Sequence, residues 1–166
     1  NPYIYAPEIL LAQIYLSENK LDSALYYSKR AFNGITNNNR HMDTYFDVLK
    51  ELNDSVSLDS AFVKIRNIKR GLDHWVDYIM TRNDINNKPD KRLLDLIEEM
   101  TIKYPNQDSI RLKGLKRMVE LGGRTYTQAL VIAERGNMEF KNENYKGAAD
   151  LFEAAISLDD QQYLFC

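Results

Sequence analysis

The sequence predicts an all-α chain built as a row of antiparallel helix pairs, and three observations predict it. Small and apolar residues recur at offsets of twelve and seven: Gly136, Ala148 and Ala155; Ala12, Ala24 and Ala31; Leu49, Ala61 and Ile68; and, more weakly, Thr81, Leu93 and Met100. Twelve residues carry a chain along one helix, round a short turn and back to the same height on the next. A small residue is needed wherever two helix backbones approach closely, and recurrence at a repeat-sized period decides the whole fold. Second, apolar residues follow the helical period through most of the chain, and no stretch alternates long enough to be an amphipathic strand. Third, only 4 Pro and 7 Gly are present in 166 residues, which suits helices joined by short turns.

Each element can be justified in order. Residues 7–17 read as a helix with Pro7 in its first turn, where a missing N–H costs nothing. Glu18-Asn19-Lys20 is a polar turn, and 21–32 is the partner helix with Leu21, Ala24, Leu25, Ser28 and Ala31 on one face. Asn33-Gly34 and the run Asn37-Asn38-Asn39 end it. Residues 42–53 repeat the theme through Tyr45, Val48, Leu49 and Leu52, with a turn at Asn53-Asp54-Ser55. Ser57 is the expected N-cap of a helix over 58–70, and Gly71 its stop. A third pair is expected at 72–81 and 91–104, split by the stretch 83–89 and closed by Pro105. Residues 108–121 form one more helix, broken by Gly122-Gly123; helices over 125–141 and 146–158 follow, and 161–166 begins another.

Composition bounds the function. A net charge of −2 creates no field that attracts nucleic acid or an anionic membrane. No apolar run approaches the roughly 18–20 residues that span a bilayer, so direct membrane insertion is not expected. The start at Asn1-Pro2, without Met, is read as a piece of a longer protein, and the compartment is open between cytoplasm and periplasm. One Cys excludes an internal disulfide.

Residues 129–162 carry Gly136, Tyr145, Ala148, Phe152, Ala155, Leu158 and Asp159, with Asp160 where a proline is usual; residues 5–38 carry Ala12, Tyr15, Leu21, Ala24 and Ala31. In these positions the chain resembles the tetratricopeptide repeat family. The windows 42–75 and 74–107 are degenerate copies, and 108–122 is an irregular helix, either inserted or sharing the helix at 125–141. The resemblance implies one α-α superhelix, a solenoid of antiparallel hairpins over residues 1–166, whose first helices line a concave face that binds a protein or peptide. A second resemblance rests on Asn38-Asn39-Arg40-His41-Met42-Asp43-Thr44-Tyr45-Phe46 and Leu58-Asp59-Ser60-Ala61-Phe62. It is to the repeat-containing tails of bacterial O-antigen ligase or polymerase proteins, and it implies a regulatory or assembly domain of a cell-surface polysaccharide enzyme, touching glycan through Trp75 and Tyr78.

On the register implied by the resemblance, the concave face holds Ile9, Gln13 and Leu16; Phe46, Lys50 and Asn53; Trp75, Tyr78 and Arg82; and Ala133, Asn137, Phe140 and Lys141. The partner-binding set expected from it is Gln13, Phe46, Lys50, Trp75, Tyr78, Arg82, Asn137 and Lys141. Exposed aromatic rings beside cations can anchor a peptide; the other reading of Phe46, Trp75 and Tyr78 is inter-helix core. A carboxylate clamp used by some family members is not intact, since the corresponding positions hold Ile9, Gln13, Asp47 and Lys50.

No enzyme is expected. His41 and His74 are not spaced for a metal, and no second Cys is present. Asp43 and Asp47 beside His41 read as capping, Glu98 and Glu99 point in different directions on a helix, and Gly122-Gly123 lacks the Lys and Ser/Thr of a phosphate loop. No catalytic residue, metal or cofactor is therefore assigned. Two basic runs, Lys64, Arg66, Lys69, Arg70 and Arg111, Lys113, Lys116, Arg117, read either as contacts for an acidic partner or lipid headgroup or as solvated helix ends. An apolar C-terminal edge at Leu151, Phe152, Tyr163, Leu164 and Phe165 is expected to pair two copies as a homodimer.

Overall fold

A computed structural model describes residues 6–34, 38–67, 72–105 and 109–159. The expected stop at Gly71, the cations Lys69 and Arg70, the packing residue Ile68 and the segment 161–166 lie outside them. Among the described residues there are nine helices and no strand: α1 Ala6–Ser17, α2 Leu21–Gly34, α3 Asn39–Glu51, α4 Ser55–Ile65, α5 Asp73–Asn86, α6 Lys91–Lys103, α7 Ser109–Leu121, α8 Gly123–Lys141 and α9 Tyr145–Leu158. The fold is all-α. Packing groups the chain into two compact units, Asn1–Ile85 with Ile102–Gln107, and Asn86–Thr101 with Asp108–Cys166.

In the first unit α1 packs on α2, α2 on α3, and α3 meets both α1 and α4. Ala12, Ala24 and Ala31 are buried as the twelve-and-seven spacing requires, and so are Leu49 and Ala61. Aromatic rings fill the rest. Phe32 stacks on Tyr45 with ring centroids 5.0 Å apart, and Phe62 stacks on Tyr78 at 3.9 Å and meets Trp75 edge-on at 5.3 Å. Two cations approach the Trp75 ring, the Arg66 guanidinium at 5.6 Å and the Lys103 ammonium at 4.9 Å. Lys103 in turn donates to the Arg66 carbonyl, which ties the end of α6 to the end of α4.

Left-handed asparagines recur in the turns at a fixed interval. Asn19 (φ 57°), Asn53 (φ 53°) and Asn87 (φ 48°) adopt the left-handed conformation at a constant 34-residue interval. Asparagine visits this region because its short polar side chain bonds locally. After α1 the Asn19 N–H donates to Leu16 O and the Lys20 N–H to Tyr15 O; after α3 the Asn53 N–H donates to Lys50 O and the Asp54 N–H to Leu49 O. Both turns thus satisfy the helix-end carbonyls by the same left-handed closure. Glu143 (φ 61°) closes α8 in the same way, its N–H donating to Phe140 O.

This interval sets the register of the second helix pair. It makes Phe46, Leu58 and Ile65 the equivalents of Ala12, Ala24 and Ala31, and all six are buried. The window expected at 42–75 stands three residues late against α3 and α4, which run from Asn39 to Ile65. The N-cap of α4 is likewise Asp54, not Ser57: an Asp54 carboxylate oxygen accepts from the Ser57 N–H at 3.0 Å. α5 continues through Asn83, Asp84 and Ile85, expected in a loop, because Asn83 is fully buried on the packed face.

The Asp54 carboxyl is held below its ordinary range, first by the Ser57 hydroxyl and then by the Ser57 N–H. A depressed folded value means the cap contributes above the unfolded value of about pH 4 and is lost as pH falls through the folded one. Asp54→Ala is expected to lower stability by about 1 kcal/mol at pH 7, with the gap closing toward pH 3 in paired urea titrations. A gap that stays constant would show that the charge plays no part.

In the second unit α8 packs against both α7 and α9. Leu93, Ile97 and Met100 of α6, Leu115, Met118 and Val119 of α7, and Ala129, Ala148 and Ala155 are buried. Gly136 is needed for close approach: a Cβ there would lie 2.7 Å from the Phe152 ring. Gly122 alone breaks the chain between α7 and α8. Its φ is 86°, and a Cβ would meet the Asn87–Lys88 backbone at 3.0 Å, while Gly123 is already helical. Arg117 of α7 donates through Nε (2.8 Å) and Nη2 (2.6 Å) to one oxygen of Asp159, whose side chain is wholly buried.

Candidate functional site in the first unit

A cleft of about 400 Å³ opens between α1 and α3. Gln13, Leu16 and Ser17 of α1 form one wall, Asp47, Lys50 and Glu51 of α3 the other, with Asn19 and Leu21 at the turn. The left-handed Asn19 reverses the chain so that Leu21 returns beneath the cleft. Three expected face residues, Gln13, Leu16 and Lys50, are thus brought together.

Hydrogen bonds fix the walls. Gln13 accepts from Arg40 Nη2 at 2.9 Å and donates to Thr44 Oγ1 at 3.3 Å, which holds α1 to α3. The Lys50 ammonium pairs with the Asp84 carboxylate of α5. Asp47 and Glu51, one turn apart on α3, have no hydrogen-bond or ion-pair partner among the described residues. Partial loss of solvent pushes the Asp47 carboxyl above its ordinary range; Lys50 opposes this and Glu51 adds to it. Asp43, a further turn back, is raised by desolvation and then by Asp47.

The other expected site residues are placed differently. Phe46, Trp75 and Tyr78 are 2%, 0% and 6% exposed, so they are inter-helix core and no ring is available to a peptide or a glycan. Arg82 is buried too, its Nε 2.9 Å from Asp59, which also accepts from the Tyr78 hydroxyl at 2.8 Å. Asn137 and Lys141 are exposed on α8 in the second unit. Stepping by the 34-residue turn interval from Ile9, Gln13 and Leu16 gives Asp43, Asp47 and Lys50, then Asp77, Thr81 and Asp84. Ile9 is buried, while the three α3 positions, Asp43, Asp47 and Lys50, are exposed, so this helix offers carboxylates where an aromatic ring was expected.

Neither histidine lies in the cleft. His41 is buried with Nδ1 3.2 Å from the Ala31 carbonyl, so that nitrogen carries the proton, and burial lowers its affinity for a second one. His74 is buried beside Trp75. Of the basic runs, Lys64 donates to Asn33, Arg66 covers Trp75 and Arg117 holds Asp159. At the expected C-terminal edge Leu151 and Phe152 are half-buried, and Ile156 is exposed. No group of three or more metal-ligating side chains converges among the described residues, and no described helix is long and apolar enough to cross a membrane. No family model, curated protein or solved structure matches the chain.

Proposed function

We propose that the chain is a non-catalytic interaction module of the tetratricopeptide type, and that it binds an extended peptide of a partner protein in the α1–α3 cleft. One observation carries this reading: the cleft gathers Gln13, Leu16 and Lys50, three residues that the repeat pattern assigns to the ligand-facing side of successive first helices. The 34-residue recurrence of left-handed asparagines supports the repeat itself. The walls are suited to the task. They are held by cross-helix hydrogen bonds, so little order is lost on binding, and they combine an apolar floor at Leu16 and Leu21 with polar groups that orient a backbone.

Selection of a random dodecapeptide display library on the 166-residue chain is expected to enrich binders in the micromolar range. Leu16→Asn, an uncharged change at a partly exposed position, is expected to weaken them at least about tenfold. Binders whose affinity is the same on the variant would remove the cleft as the binding face.

A further inference from the structure

Resting on the cleft assigned above, we propose that its ligand is a peptide carrying an arginine or lysine, whose cation is received between Asp47 and Glu51 of α3 while its aliphatic stem lies on Leu16 and Leu21. The charge pattern argues for it. Asp43, Asp47 and Glu51 stand at successive four-residue steps, so they form one stripe along α3. Like charges at this spacing repel, which is unfavourable to the free helix, and Lys50 offsets only part of the effect at Asp47. The nearby cations are already committed: Lys50 to Asp84, and Arg40 to the amide oxygen of Gln13.

The cleft supplies what an isolated acidic stripe lacks. Asp47 and Glu51, both exposed, edge an open concavity, and part of the hydration of Asp47 has been lost before any ligand arrives. A guanidinium or ammonium would restore that lost solvation by charge-assisted hydrogen bonds, shorter and stronger than neutral ones. Long basic side chains also bury apolar stems beneath a charged head, which matches a leucine floor below a carboxylate rim. An acidic peptide is disfavoured at the same place by Asp47 and Glu51 and would have to displace Asp84 from Lys50.

The test uses four labelled nonapeptide pools, acetylated and amidated, with degenerate uncharged flanks and a fixed central arginine, lysine, citrulline or glutamate. Binding to the 166-residue chain is read by fluorescence anisotropy. The arginine and lysine pools are expected to bind at least about tenfold more tightly than the citrulline pool, which keeps the shape but not the charge, and to weaken as salt rises. In the Asp47→Asn, Glu51→Gln double variant, with its helical circular dichroism unchanged, that preference is expected to fall below about twofold. A citrulline or glutamate pool binding as tightly as arginine, with binding still lost in Leu16→Asn, would overturn the cationic ligand and leave the cleft standing. A preference that survives in the double variant would also overturn it. Absence of binding by every pool would overturn both readings.

Discussion

Trp75→Ala is expected to destabilise the chain by about 3–5 kcal/mol, as for other truncations of a buried large aromatic. Trp75 is fully buried, meets Phe62 and Tyr104 edge-on, and is covered by Arg66 and Lys103. Removing it opens a void where α4, α5 and the end of α6 meet, and strips two cations of their ring. Trp75→Phe is expected to lose less than half as much, because the indole N–H has no hydrogen-bond partner among the described residues. Urea unfolding followed by far-ultraviolet circular dichroism measures both, since the chain has no other tryptophan to report by fluorescence. A loss below about 1 kcal/mol for the alanine variant would contradict a core role and reopen the ring as a surface for ligands.

Arg117→Met is expected to have an effect of similar size in the second unit, about 3–5 kcal/mol, because it leaves a buried carboxylate without its cation. Asp159 terminates α9, and two guanidinium N–H groups of α7 converge on one of its oxygens. Replacing both partners by apolar residues of similar size removes the uncompensated charge, so the Arg117→Met, Asp159→Leu pair is expected to recover most of the loss. The four proteins form a double-mutant cycle in urea midpoint at constant m-value. Additive losses would show that the two side chains act independently.

The nine described helices were legible, because apolar and small residues follow the helical period and the breakers fall between them. The face that α3 and α5 offer to solvent was not. Residues three apart share a helix face, so a three-residue slip leaves an apolar pattern almost intact. The same slip turns a helix of 3.6 residues per turn by about 60°, enough to exchange Asp43 for Phe46 on α3, and a slip of one or two residues exchanges Asp77 for Tyr78 or Trp75 on α5. Small-residue spacing accepted Leu49 and Ala61 as readily as Phe46 and Leu58, since all four are buried. The finer signal was present in Asn19, Asn53 and Asn87, where the residue type itself marks a left-handed turn. The cap of α4 slipped for a related reason: Asp54 and Ser57 are both competent N-caps, and they contact each other. Arg117 was read as one cation in a solvated run, because nothing in a linear sequence reveals that a carboxylate 42 residues on is buried beside it.

On the proposed reading, the acidic stripe on α3 sets stability and recognition against each other. Partial desolvation has raised the pKa values of Asp43 and Asp47, so the folded state holds their protons more tightly than the unfolded chain, and their ionisation works against folding. Neutralising Asp47 by mutation therefore firms the free helix while stripping the cleft of its charge. On that reading the most heat-resistant version of this chain and the best-binding one are expected to be different sequences. A screen for thermal tolerance alone would select against the stripe, and a melting temperature that climbs on adding a basic peptide would measure how much of that internal repulsion the ligand relieves.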